Sequence, residues 1–112
     1  MLITKRFRFE AAHNLLNYKG DCEKLHGHSY RLEVTLEGEV GADGFVVDFR
    51  EIEKNVNERV IKILDHSYLN DVVKFTSCEN LVKWIWDKLK DMKPYEIRLF
   101  ETTDSWVTYR GK

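Results

Sequence analysis

The chain reads as an α+β protein, an antiparallel sheet with two helices on one of its faces. Three observations carry this reading. Both ends of the chain alternate apolar and polar residues with a period of two, as half-buried strands do. The middle, from Asp48 to about Leu89, repeats apolar residues at helical spacing behind recognisable start signals. The resulting order, β-β-α-α-β-β, has the segregated pattern of α+β domains rather than the strict alternation of α/β ones.

Residues 2 to 13 place Ile3, Phe7, Phe9 and Ala11 on one face, with Lys5 as the exception, and Thr4, Arg6, Arg8 and Glu10 on the other. Residues 14 to 25 are polar, contain Asn14, Asn17 and Gly20, and read as a loop. A second strand runs from about His26 to Glu37, with Tyr30, Leu32, Val34 and Leu36 inward and Arg31, Glu33, Thr35 and Glu37 outward. Gly38, Gly41 and Asp43-Gly44 make a turn. Asp48 opens a helix with Glu51 as capping-box partner, and Phe49, Ile52, Val56, Val60 and Ile63 form its apolar face. A second helix starts near Thr76 with Glu79 as its reciprocal cap, and carries Leu81, Val82, Ile85 and Leu89. Pro94 closes the connection. Strands over about Tyr95 to Thr102 and Trp106 to Arg110 follow, giving four in all.

With 112 residues, 43% of them hydrophobic, the chain is one domain (1–112) able to bury a core without disulfide staples. A net charge of -1 argues against a nucleic-acid surface. The apolar runs are far too short to span a bilayer, and the first ten residues have no signal-peptide core. Two cysteines, Cys22 and Cys78, do not make a disulfide framework, so free thiols and a cytoplasmic location are expected.

The histidines carry the chemistry. His26 and His28 share parity with the inward row of the second strand, and His13 with the inward row of the first. If the two strands are neighbours, three imidazoles converge on one side of a sheet. Burying three imidazoles without partners is costly, and the loop offers few acceptors. A divalent metal resolves this, and three histidines with an open position is the pattern of a catalytic zinc site. Gly27 between two of the ligands is consistent with close packing at the metal. Cys22 allows two readings: a fourth ligand closing a structural site, or a base or nucleophile held off an open one. A chain that already builds a core does not need a structural zinc, which favours the open site. His66 beside Asp65 reads either as an Asp-His pair with a fixed tautomer or as a surface pair at a helix end. Glu101 ends the inward row Ile97, Leu99, Glu101, so it wants a donor. Either an internal Arg or Lys supplies that donor, or a ligand with adjacent N–H groups does, or the residue is a strand-end carboxylate reaching water. A cupin-like reading of Gly20, His26, His28 and Glu33 fails, because Glu33 has the wrong parity, no later histidine completes the set, and two helices interrupt the strands.

His13, Cys22-x-x-x-His26-Gly27-His28, Gly44-x-x-x-Asp48-Phe49, Leu64-Asp65-His66-x-x-Leu69-Asn70, Ser77-Cys78-Glu79-Asn80-Leu81, Glu101-Thr102 and Tyr109-Arg110-Gly111 occur in this order. Together they resemble the 6-pyruvoyltetrahydropterin synthase family, and within it the 6-carboxytetrahydropterin synthases of queuosine biosynthesis, whose Cys-x₃-His-Gly-His spacing this chain shares. The resemblance implies the tunnelling fold, three subunits joining their sheets into a barrel and two such trimers forming a homohexamer. It implies Zn²⁺ on His13, His26 and His28, and Cys22 as the proton-transferring residue. It implies Asp65 and His66 as relay partners from a neighbouring subunit, and Glu101 as the anchor of the pterin ring. The implied substrate is 7,8-dihydroneopterin triphosphate, with Lys24 and Arg110 as candidates to hold its triphosphate. Cys78 departs from the small residue usual at that helix start, and reads as a packed side chain.

Overall fold

The computed structural model describes residues 1–15 and 24–112. Strands β1 (Leu2–His13) and β2 (His26–Glu37) form an antiparallel ladder in register from Leu2↔Glu37 to His13↔His26. The apolar pattern dictates that register, because a one-residue slip would turn every core side chain to water. Lys5, the polar residue in the inward row, reaches Glu53 at 3.8 Å. On the opposite face Arg6 pairs with Glu33 at 2.7 Å and the Thr4 and Thr35 hydroxyls meet at 2.7 Å.

Helix α1 (Phe49–Val56) starts at Asp48, as expected. The Asp48 carboxylate accepts from the Arg50 backbone N–H at 2.9 Å and takes the Arg50 guanidinium, so Arg50 rather than Glu51 completes the cap. A π turn, Asn57–Ile61, leads into the last helical turn α2 (Lys62–Leu64). Here the structure corrects the expected stripe: Ile52, Val56, Val60 and Leu64 are fully buried, whereas Phe49 and Ile63 are 47% and 42% exposed. A step of four residues drifts by about 40° in an α-helix of 3.6 residues per turn. The wider i→i+5 turn absorbs that drift and brings Leu64, not Ile63, to the core.

A short strand β3 (Ser67–Tyr68), absent from the four expected, pairs parallel with Ala11 and Ala12 of β1. Its two residues are too few to show a period. Helix α3 (Cys78–Leu89) is capped by Ser77, one residue later than expected; its hydroxyl accepts from the Asn80 N–H at 3.2 Å. Thr76 is fully buried and serves elsewhere. Strands β4 (Glu96–Phe100) and β5 (Trp106–Tyr109) are slightly shorter than expected and complete a five-stranded sheet of order β3-β1-β2-β4-β5. Phe7, Phe9, Tyr30, Leu32, Ile97 and Leu99 pack against Val56, Leu64, Leu81 and Ile85 to form the core between sheet and helices. Gly111, with φ 88°, lets the chain end turn over α3, where an added Cβ would meet the Trp86 ring at 2.9 Å. Among the described residues no helix is long and apolar enough to cross a membrane.

Candidate functional site

The β1–β2 register places His13 directly opposite His26, with His28 two residues along the same face. The three imidazoles meet at the end of the core: ring centroids lie 4.7 to 5.1 Å apart, and one nitrogen from each falls within 4.8 Å of the others. His13 is 1% exposed. Its Nδ1 donates to the Thr76 carbonyl at 3.0 Å, with the Thr76 hydroxyl at 3.2 Å. His26 Nδ1 donates to the Lys24 carbonyl at 2.8 Å. A carbonyl oxygen can only accept, so in the neutral rings both Nδ1 atoms carry the proton and both Nε2 atoms present a lone pair. These two Nε2 atoms face each other at 3.1 Å.

Two lone pairs at that separation repel unless a cation accepts both. Nitrogens bound to one tetrahedral zinc at about 2.0–2.1 Å sit roughly 3.3–3.4 Å apart, close to the spacing observed. The donor set, the fixed tautomers and the spacing therefore fit a divalent metal, and His13, His26 and His28 could hold one. The acceptors that sequence reading did not find are main-chain carbonyls, which no side-chain pattern reveals. Gly27 faces away from the cluster; a Cβ there would meet only the Ala11 carbonyl at an ordinary 3.5 Å, so metal packing does not require it.

Glu101 follows β4 on the core-facing side. Its two oxygens lie 3.9 Å from His13 Nε2 and His28 Nε2, too far for hydrogen bonds. Its side chain is 30% exposed and borders a cleft of about 260 Å³, with Ser77, Cys78, Glu79 and Ser105 among the walls. The carboxylate thus stands between the imidazoles and a concave, solvent-connected space. Cys78 donates its thiol hydrogen to the Leu99 carbonyl at 3.3 Å, and burial first, then Glu101 and Glu79, push the thiol up to about 12. It is a packed, neutral group, as expected. Tyr30 packs edge-on to His28 and stacks on Phe9; burial, with Glu101 and Cys78, holds its phenol in the protonated form.

The Asp65–His66 pair borders a different cavity, an open one of about 510 Å³ lined by both His66 and His28. His66 Nδ1 is 3.0 Å from Asp65 Oδ2, and Asp65 Oδ1 accepts from the Glu10 N–H at 2.9 Å. That N–H, and then His66, hold the Asp65 carboxyl below the usual carboxylate range. His66 adopts a left-handed backbone, φ 59°, and its side chain is 80% exposed. Among the described residues no hydrogen bond or ion pair joins Asp65 or His66 to His13, His26 or Glu101. Cys22 lies outside the described residues. Arg110 is committed elsewhere: it donates twice to Glu96, at 2.9 and 3.0 Å, while Arg98 donates to the other Glu96 oxygen. Glu96 is five residues from Glu101 along the sheet, about 17 Å at 3.4 Å per residue, so Arg110 sits far from the imidazoles.

Residues 2–112 match the 6-pyruvoyl tetrahydropterin synthase family along their whole length. The chain belongs to that family. It is 35% identical over 118 residues to the 6-carboxy-5,6,7,8-tetrahydropterin synthase of Synechocystis sp., covering 96% of this chain and 92% of the relative. It is 37% identical over 97 residues to the dihydroneopterin monophosphate aldolase of Pyrococcus furiosus, covering 87% and 82%. Its fold superposes on the 6-pyruvoyl tetrahydropterin synthase of Caenorhabditis elegans with a TM-score of 0.86 and 25% identity, over 100% of this chain and 96% of that one. Proteins named for three different activities thus match across most of the chain, and the α+β architecture expected from the sequence is that of the family.

Proposed function

We propose that the protein is a zinc-dependent lyase that converts 7,8-dihydroneopterin triphosphate and water to 6-carboxy-5,6,7,8-tetrahydropterin, acetaldehyde and triphosphate. The observation that carries this reading is the convergence of His13, His26 and His28 beside Glu101, with Nδ1 of two rings tied to carbonyls and their Nε2 atoms turned to one point. These three residues would hold the zinc, which would supply Lewis acidity toward the substrate's side-chain oxygens and so acidify the neighbouring C–H.

The remaining roles belong to the chain. The Cys22 thiolate, four residues ahead of His26, takes the proton as general base. Glu101 offers two oxygens to the adjacent N–H donors of the aminopyrimidinone ring, a bidentate match that orients the substrate with its side chain toward the imidazoles. Asp65 holds His66 at Nδ1, leaving Nε2 as the end that gives and takes protons. Its exposure suits a relay offered to the cleft of a neighbouring subunit, within a homohexamer of barrel-forming trimers working in the cytoplasm. Support for the carboxy product comes from the Cys-x₃-His-Gly-His spacing and from the Synechocystis relative.

The test is one incubation of zinc-loaded protein with dihydroneopterin triphosphate, followed by mass analysis. Carboxytetrahydropterin with stoichiometric acetaldehyde is the expected outcome. The pyruvoyl pterin without acetaldehyde would assign triphosphate elimination alone. Preferential turnover of dihydroneopterin monophosphate would assign the aldolase activity of the Pyrococcus relative. No turnover of either substrate would overturn the reading.

A further inference from the structure

Asn70 closes the segment Leu64-Asp65-His66-x-x-Leu69-Asn70, yet none of the roles above uses it. It sits in the turn Leu69–Asp71 that follows β3. Its Oδ1 accepts from the Asn14 N–H at 3.1 Å and its Nδ2 donates to the Asn14 carbonyl at 2.9 Å. The carboxamide thereby pairs with the main chain as a neighbouring strand would, one residue beyond His13, where the ladder between β1 and β2 has ended. The Asn14 side chain is held as well, its Oδ1 accepting from the Tyr68 hydroxyl at 2.5 Å.

Thr76 joins this clasp to the ring. It is fully buried. Its carbonyl and hydroxyl oxygens lie 3.0 and 3.2 Å from His13 Nδ1, and the hydroxyl lies 3.4 Å from Asn70 Oδ1 and 3.5 Å from the Asn14 carbonyl. A hydroxyl has one hydrogen to give. Donating it toward Asn70 or Asn14 turns its oxygen toward Nδ1, where it shares as a second acceptor the ring proton that the Thr76 carbonyl holds, and so steadies the ring with its lone pair at Nε2. Buried polar networks of this kind fix one arrangement when every member is satisfied.

We infer that Asn70 and Thr76 are positioning residues for His13 as a metal ligand: the Asn70 carboxamide anchors the chain beside His13, and the Thr76 hydroxyl, beside the Thr76 carbonyl that sets the tautomer, holds the orientation of the ring. Neither residue touches the metal. The inference rests on the reading of His13, His26 and His28 as a metal centre. Outer partners of ligating histidines typically change metal affinity 10- to 100-fold when replaced.

The experiment measures zinc affinity by competition with a chromophoric chelator, and the visible spectrum of the cobalt-loaded protein, for the unchanged chain and for His13→Ala, Thr76→Val, Thr76→Ser and Asn70→Asp. Metal-free melting temperatures serve as the control for folding. Thr76→Val keeps the volume and removes the hydroxyl, and Asn70→Asp keeps the shape and removes the donor to Asn14. Both are expected to weaken zinc binding about tenfold and to alter the cobalt spectrum. Thr76→Ser is expected to bind within twofold of the unchanged chain. Zinc binding that His13→Ala abolishes but Thr76→Val and Asn70→Asp leave intact overturns the clasp and spares the metal centre. No zinc binding by the unchanged chain overturns both. Should Thr76→Val not fold, Asn70→Asp on its half-exposed turn decides the matter by the same two outcomes.

Discussion

Replacing Tyr30 with phenylalanine is expected to stabilise the metal-free protein. Tyr30 is fully buried, and its hydroxyl has no hydrogen-bond partner among the described residues. A buried hydroxyl without a partner carries a desolvation penalty of about 1–3 kcal/mol, which leaves with the oxygen. The void left by one oxygen costs about 0.3 kcal/mol at about 24 cal/mol per Å³ of cavity. The ring itself, stacked on Phe9 at 4.9 Å between centroids and 7° between planes, keeps its contacts. The net gain is about 1 kcal/mol, or roughly +4 °C in melting temperature for a domain of this size. Differential scanning calorimetry of Tyr30→Phe at one pH, metal-free, is the assay. A melting temperature lowered by 4 °C or more would refute the reasoning, because it would mean that the phenol has a partner that the buried environment of β2 does not supply.

Four further outcomes follow from the same geometry. Ser77→Ala removes the hydroxyl that caps α3 through the Asn80 N–H, and is expected to lower stability by about 1 kcal/mol in denaturant titration, with no loss if the cap is not used. Cys78, pushed up to about 12, is expected to resist iodoacetamide at pH 8 while Cys22 labels; mass analysis showing Cys78 modified first would contradict its burial. The folded protein holds the Cys78 proton above the thiol's ordinary 9.0, so this contribution to stability is complete below pH 9 and lost as pH rises toward 12; Cys78→Ser is expected to flatten that alkaline limb. Asp65 has the opposite sign. Its carboxyl titrates below the ordinary 3.8, so its contribution is present above that pH and lost as pH falls through the depressed value. Asp65→Asn is expected to flatten the acid limb of melting temperature against pH below about 4, and an unchanged limb would show that the Glu10 N–H does not favour the charged form.

The two long strands and the convergence of the histidines were legible because both rest on parity alone. Alternation assigns His13, His26 and His28 to the apolar face, and the apolar rows of the two strands admit one register. The cap at Asp48 and the row ending in Glu101 were legible for the same local reason. The π turn was not. Val56 and Val60 fit an α-helical stripe equally well, and only packing against the sheet selects Leu64 over Ile63. Thr76 reads as a helix start from the sequence because Thr and Ser look alike there. Its burial beneath His13 is a contact across 63 residues of chain, to which local pattern is blind. Glu96 was missed because a carboxylate on an outward row reads as solvent-facing until Arg98 and Arg110 are seen to close over it.

The sequence by itself determined which residues lie on which side of each strand and helix, and therefore that three imidazoles and one carboxylate share the buried side. Side-chain direction follows from backbone period, a local property. Tertiary structure alone decided what those groups do to one another: that two main-chain carbonyls fix the ring protons, that the Nε2 atoms turn to a common point 3.1 Å apart in two of the rings, and that Asp65–His66 faces outward. Hydrogen bonds join groups far apart in the chain, and their geometry exists only once the sheet and helices have packed.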